Sequence, residues 1–322
     1  MAHRYLSAIT LLGSLCTITG CSDLTAENRG SEDRVADVVN LATPEIAESS
    51  GLAASWRKAN HFWTHNDSGD QARLFAFNTK GRLTRTVKFR TLQAKDWEDM
   101  ASFVDGNVPR LLIADCGDNQ RNRSSVTLYL MDEPAPDDKY SVDPQNLTTL
   151  SVVYPDGARD CEAVAVDPKR RKIVLVTKSF LPAVGVYTIP LPPRSEGDQI
   201  VRQQVTAKRI ATLAIPMVTA MDLNQRNGDL WVASYFQAFC FSCKDREQNF
   251  SDQFSTLPKP IELPRWRQIE AFAVDPSEQL WLTSEGSPTP LGRIIHRSED
   301  RSEEHTSELQ SHSDLVCRLL LE

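Results

Sequence analysis

Glu162-Ala-Val-Ala-Val-Asp-Pro168 recurs 108 positions later as Glu270-Ala-Phe-Ala-Val-Asp-Pro276. Each copy breaks at Asp-Pro and resumes as an apolar run, Ile173-Val-Leu-Val-Thr177 in one and Leu280-Trp-Leu-Thr283 in the other. The reading is strand, turn, strand, twice. A unit this short cannot bury its apolar faces alone, so it must stack against copies of itself. Three further copies fit the frame. Ser50-Gly-Leu-Ala-Ala54 precedes Phe62-Trp-Thr-His65, Trp97-Glu-Asp-Met-Ala101 precedes Leu111-Leu-Ile-Ala-Asp115, and Met221-Asp-Leu223 precedes Leu230-Trp-Val-Ala-Ser234.

Third strands follow at Arg73–Phe77, Val126–Leu130, Gly185–Ile189, Ala238–Phe241 and Leu291–Ile295. Fourth strands are expected at Leu83–Phe89 and Thr149–Tyr154. Short β-branched and aromatic runs between Asp-Gly, Asn-Gly and Asp-Pro turns mark an all-β chain. Units starting near 50, 98, 162, 222 and 270 have the spacing of four-stranded propeller blades. The expectation is an all-β β-propeller with five countable repeats, hence five or six blades. Residues 37–46 are expected to supply the outer strand that closes the last blade and removes its exposed edge.

The ends read differently. Residues 1–20 have a basic start, a short apolar stretch and small residues before Cys21. That resembles a lipoprotein signal peptide, with Cys21 the lipid-carrying residue after cleavage. Ser22 in place of an aspartate leans toward the outer membrane in a Gram-negative host. Residues 21–36 read as a polar tether, and 37–300 as the propeller domain. Residues 301–322 resemble the conceptual translation of a short-read sequencing adapter, and are read as a tail that is not native. The protein is thus expected to be exported and lipid-anchored at the bacterial cell envelope, its membrane contact made through the N-terminal lipid.

Of the formal net charge of −7, residues 301–322 carry −3; the remaining −4 is too mild to imply nucleic-acid binding and no basic stripe appears, so no nucleic-acid partner is expected. Of seven cysteines, Cys16, Cys21 and Cys317 belong to the end segments. Cys240 and Cys243 form a lone CxxC, which reads equally as a local disulfide or as packed thiols. Cys116 and Cys161 fall at similar depths in successive units.

First strands of propeller blades line the central channel, so residues at their heads converge on one axis. Here the heads are acidic, and the metal candidates are Glu98, Glu162, Asp222 and Glu270, with Asp99, Asp160 and Glu48 nearby. Carboxylates brought together either take up protons or bind a cation. Oxygen-only ligands suit a hard ion, calcium before magnesium. The alternative is structural: carboxylates accepting backbone hydrogen bonds at strand starts. A second constellation sits at the ends of the second strands. It comprises Asp67, Asp70, Asp115, Asp118, Asn119 and Glu285, with Lys178 and Tyr235 at equivalent places. Its Asp-rich loops could hold an ion or could be Asx-turns. His65 is the candidate general base. No nucleophile elbow, phosphate loop or HExxH motif is present.

The ordered set Ser50–Ser55, Trp63–Asp70, Asp96–Asp99, Asp115–Asn119, Asp160–Ala163 and Glu270 to Gly286 resembles a family of exported bacterial β-propeller lipoproteins. More distantly it is similar to the calcium-dependent lactonase and phosphotriesterase propellers, and to the phytase-related esterase-like propellers. The resemblance implies carboxylates and amides gathered near the axis. The Asp-rich signature loops of the established β-propeller phytases are not evident here. Two functions follow as expectations: a binding or scaffold module, calcium-binding, for a small molecule or an envelope protein, or a metal-dependent hydrolase of a phosphoester, ester or lactone.

Overall fold

The computed structural model describes residues 35–90, 92–137, 147–195 and 201–295. The expectations for Cys21, the signal peptide and the tail lie outside them. The described residues form five sheets built from antiparallel hairpins, arranged as a five-bladed β-propeller. The first blade runs Ser49–Ala54, His61–Asn66, Arg73–Asn78 and Leu83–Lys88. The second runs Trp97–Asp105, Val108–Asp115, Val126–Asp132 and Thr148–Val153. Cys161–Asp167, Lys172–Thr177, Val184–Pro190 and Lys208–Leu213 make the third. Val218–Leu223, Leu230–Ser234, Gln237–Phe241 and Lys259–Glu262 make the fourth. The fifth takes Ile269–Val274, Leu280–Ser284 and Pro290–Ile294 from one end of the chain and Val35–Asn40 from the other.

That last pairing closes the ring. Val35–Asn40 lies antiparallel to Pro290–Ile294, with Val35 opposite Ile294 and Asn40 opposite Pro290. The closing strand therefore sits earlier than the 37–46 span read from sequence. One strand is unforeseen. Val201–Thr206 runs parallel to Thr148–Val153 on the outside of the second blade, before the chain returns to complete the third. It stitches two neighbouring blades together. The only helix among the described residues is Phe250–Phe254, so none is long and apolar enough to cross a membrane.

The continuous apolar runs follow from burial on both faces. Along Lys172–Thr177, Ile173 and Leu175 enter the core shared with the second blade. Val174 and Val176 enter the core shared with the fourth. Side chains alternate faces along a strand, so a blade sandwiched between two others must be apolar at consecutive positions. The same logic gives each consecutive pair of blades its own core. The fifth blade meets the first through Trp281 and Leu291 against Phe62, Phe75 and Phe77.

Each first strand carries a β-bulge at its head. The register shifts fall between Ser49 and Gly51, Trp97 and Asp99, Cys161 and Ala163, Val218 and Ala220, and Ile269 and Ala271. The bulged residues are Ser50, Glu98, Glu162, Thr219 and Glu270. A bulge breaks the ladder and re-aims one side chain. In two blades that side chain is a hydroxyl tying one blade to another: Ser50 Oγ donates to the Glu98 carbonyl at 2.7 Å, and Thr219 Oγ1 to the Ile269 carbonyl at 2.9 Å. In the other three it is a glutamate.

A candidate cation centre at the mouth of the central channel

The three bulge glutamates meet side chains from loops that follow the second strands. Oxygens of Asp67, Asp96 and Glu98 lie within 4.8 Å of one another. Asp67 comes from the loop after the second strand of the first blade, while Asp96 and Glu98 come from the head of the second blade. Gly117 makes the close approach possible: a Cβ there would collide with the Glu98 and Asp96 carboxylates. Around this trio, Lys178 Nζ bonds Glu162 Oε2 at 3.0 Å. Tyr235 Oη donates to Glu270 Oε1 at 3.1 Å, and the Lys178 ammonium stands 5.6 Å from the centre of the Tyr235 ring. All five blades contribute to this mouth.

The electrostatics are those of crowded, mostly buried acids. Burial, followed by repulsion from Glu162, Asp67 and Asp96, pushes the Glu98 carboxyl well above the usual carboxylate range. Burial pushes Asp96 to about 6, helped by Asp67. Glu162 rises to about 7 through burial, against the opposing pull of Lys178. Glu270 rises to about 7 through burial and repulsion from Glu285. Crowded carboxyls of this kind are relieved either by taking up protons or by binding a divalent cation. Three carboxylates without a sulfur or imidazole donor fit calcium or magnesium by donor type.

Asp222 does not belong to this group. The bulge places Thr219, not Asp222, at the head of the fourth blade. Asp222 lies three residues deeper and accepts from the Val274 and Leu223 amides at 2.8 and 2.7 Å. Asp99 does the same on a larger scale, accepting from the amides of Met100, Val164 and Met221. For these two the structural alternative holds.

The second constellation divides. Asp67 joins the trio, and Glu285 stands near Glu270. Asp70 is held by Arg73 and by the Asn66 amide, at 2.9 and 2.7 Å. Asp115 pairs with Arg123 at 2.9 Å. Asp118 accepts from the Asn122 and Arg123 amides, an Asx-type loop closure, and Asn119 is exposed. The candidate general base is misplaced for that role. His65 is fully buried, its ring edge-on to Trp97 at 5.4 Å, with Nδ1 3.0 Å from the Asn66 carbonyl. Burial lowers its pKa, so it sits neutral in the wall rather than in the channel. Cys116, Cys161, Cys240 and Cys243 are all free thiols, and Cys116 Sγ contacts the Cys161 carbonyl at 3.0 Å.

Asp96 and Gly117 were not among the sequence candidates. A signal for both exists: they lie within the stretches Asp96–Asp99 and Asp115–Asn119, singled out in the sequence.

The class defined by this fold and site is a five-bladed β-propeller with an acid cluster at one mouth. No protein-family model matches the sequence, and no curated protein matches it. Solved structures do. A glucose dehydrogenase overlaps 81% of this chain and 99% of its own at a TM-score of 0.49 and 10% identity. A gluconolactonase from Xanthomonas campestris overlaps 77% and 72% at 0.40 and 10%. A nidogen/laminin complex chain overlaps 74% and 73% at 0.42 and 10%. The fold assignment stands on the sheet topology of the chain itself.

Proposed function

We propose that this protein is an exported, lipid-anchored binding module of the cell envelope, tethered through Cys21, whose channel mouth holds a divalent cation, calcium in the first place. The observation that carries the cation is the convergence of Asp67, Asp96 and Glu98 beneath Gly117. Glu162, Lys178, Tyr235, Glu270 and Glu285 form the polar wall a small molecule or envelope-protein side chain would meet there.

The second reading is a metal-dependent hydrolase of an ester, lactone or phosphoester. It is favoured by one feature: carboxyls pushed to about 7 beside a lysine and a tyrosine. A bound cation would polarise the scissile carbonyl or phosphoryl group. Glu162 or Glu270 would move the proton, because each is near half-protonation at neutral pH. Lys178 would fix Glu162 in place.

Calorimetric titration of the chelator-stripped protein with calcium at pH 7.5 tests the shared claim. A single site is expected, weakened at least tenfold by Glu98→Gln or Asp96→Asn and untouched by Asp70→Asn. Unchanged affinity in both mouth variants would reject it. A cation-dependent turnover on an ester, lactone and phosphoester panel, lost in Glu162→Gln, would select the hydrolase.

A further inference from the structure

The opposite rim of the propeller carries a second cavity with the reverse charge. It lies between the third blade and the segment of the fourth that includes the short helix Phe250–Phe254, with a volume of about 590 Å³, within the usual range for small-molecule sites. Lys172 opens the second strand of the third blade, whereas Thr177 and Lys178 end it at the channel mouth. That strand spans roughly 16 Å, so the cavity is separate from the cation centre.

Five cationic side chains line it, Lys169, Arg170, Lys172, Lys208 and Arg246, against the single carboxylate of Glu247. In a chain of net charge −7 that is a local inversion. Two of the five are fixed. Arg170 is held by Gln253 Oε1 at 3.0 Å and Asp167 at 3.3 Å, and lies 4.5 Å from the Phe250 ring centre. Arg246 is held by Asp167 at 3.1 Å. Lys169 pairs with Glu247 at 3.0 Å. Lys172 and Lys208 have no ion-pair or hydrogen-bond partner for their ammonium groups among the described residues. They project from the same face of the blade, because Thr188 pairs with both Lys208 and Val174, and Val174 and Lys172 share a face. Ile210 and Phe250 supply an apolar wall beside them.

We propose that this cavity is a binding site for a small organic phosphate or sulfate. Lys172 and Lys208 clamp the anion, Arg170 and Arg246 supply fixed positive charge behind it, and the organic part covers Ile210 and Phe250. Strong charge-assisted bonds to the two lysines require no prior ion pair to be broken.

Titration of the whole protein with phenyl phosphate, followed by calorimetry or by chemical-shift changes, tests the site. One saturable site is expected, at least tenfold tighter than for inorganic phosphate and weakening as salt rises. The pair Lys172→Glu with Lys208→Glu should weaken it at least tenfold and the neutral pair Lys172→Gln with Lys208→Gln by less, both retaining the parent melting temperature. Glu98→Gln should leave it unchanged. Absence of saturable binding, equal affinity in the double variants, or loss in Glu98→Gln instead would each overturn the proposal, as would inorganic phosphate binding as tightly as the ester.

Discussion

At the scale of single residues, acids of one chemical type do two jobs in this channel, and depth decides which. Asp99 is fully buried and ties the first strands of the second, third and fourth blades through three amide donors. Asp99→Ala should cost about 3 kcal/mol or more, because each buried amide left without an acceptor costs about 1–3 kcal/mol. Denaturant midpoints will show it, and Asp99→Asn, which keeps an acceptor oxygen, should cost less. The mouth acids, together with the deeper Asp222, respond to pH as well. Asp96 is raised to about 6, and Glu162, Glu270 and the deeper Asp222 to about 7. Their unfolded values lie near 4, so the folded state holds extra protons between about pH 4 and 7. The stability they contribute is complete below that window and is lost as pH rises through it. In EGTA the protein should therefore melt higher at pH 5.5 than at pH 7.5. Calcium should raise the melting temperature more at pH 7.5 than at 5.5, where protons occupy the same carboxylates. A calcium effect equal at both values would contradict the shared-site account.

Among elements, the bulges and the closing strand set the site and the ring. The repeat of Glu162–Pro168 at Glu270–Pro276 made the first and second strands legible, because alternation and Asp-Pro turns are local signals. The bulge is not local: it appears only when two strands pair, and it decides which residue faces the mouth. That is why Asp222 reads as a strand head in sequence while Thr219 takes the position in space. His65 misleads for a related reason, since nothing in Trp-Thr-His-Asn-Asp announces that Trp97 of the next blade will cover the ring. Asp67 and the three glutamates were readable; their partners Asp96 and Gly117 depend on how two loops of the second blade fold over each other. The closing strand Val35–Asn40 covers the edge of Pro290–Ile294, with Asp37 and Arg293 paired at 2.7 Å. Its deletion should lower the melting temperature and promote concentration-dependent association, because it bares a strand edge beside Leu291 and Ile294. Size-exclusion profiles across a dilution series will register that association. An unchanged monomer profile and melt would mean the ring does not depend on this closure.

For the whole molecule, the propeller separates two chemistries by the length of its strands. One mouth gathers carboxylates from four of the five blades, with Tyr235 from the fourth, and the opposite rim gathers lysines and arginines around a separate cavity. Inter-blade cores hold the two ends in fixed relation while leaving each free to be altered alone. The central claim is that Asp67, Asp96 and Glu98 are the ligands of one divalent cation. Crystals of the protein grown with calcium, then exchanged with manganese, give the most direct measurement, an anomalous difference map at the manganese edge. The account predicts one strong peak at the channel mouth, within coordination distance of all three carboxylates and absent in Glu98→Gln. A map with no peak there, or a peak that survives intact in that variant, would contradict it.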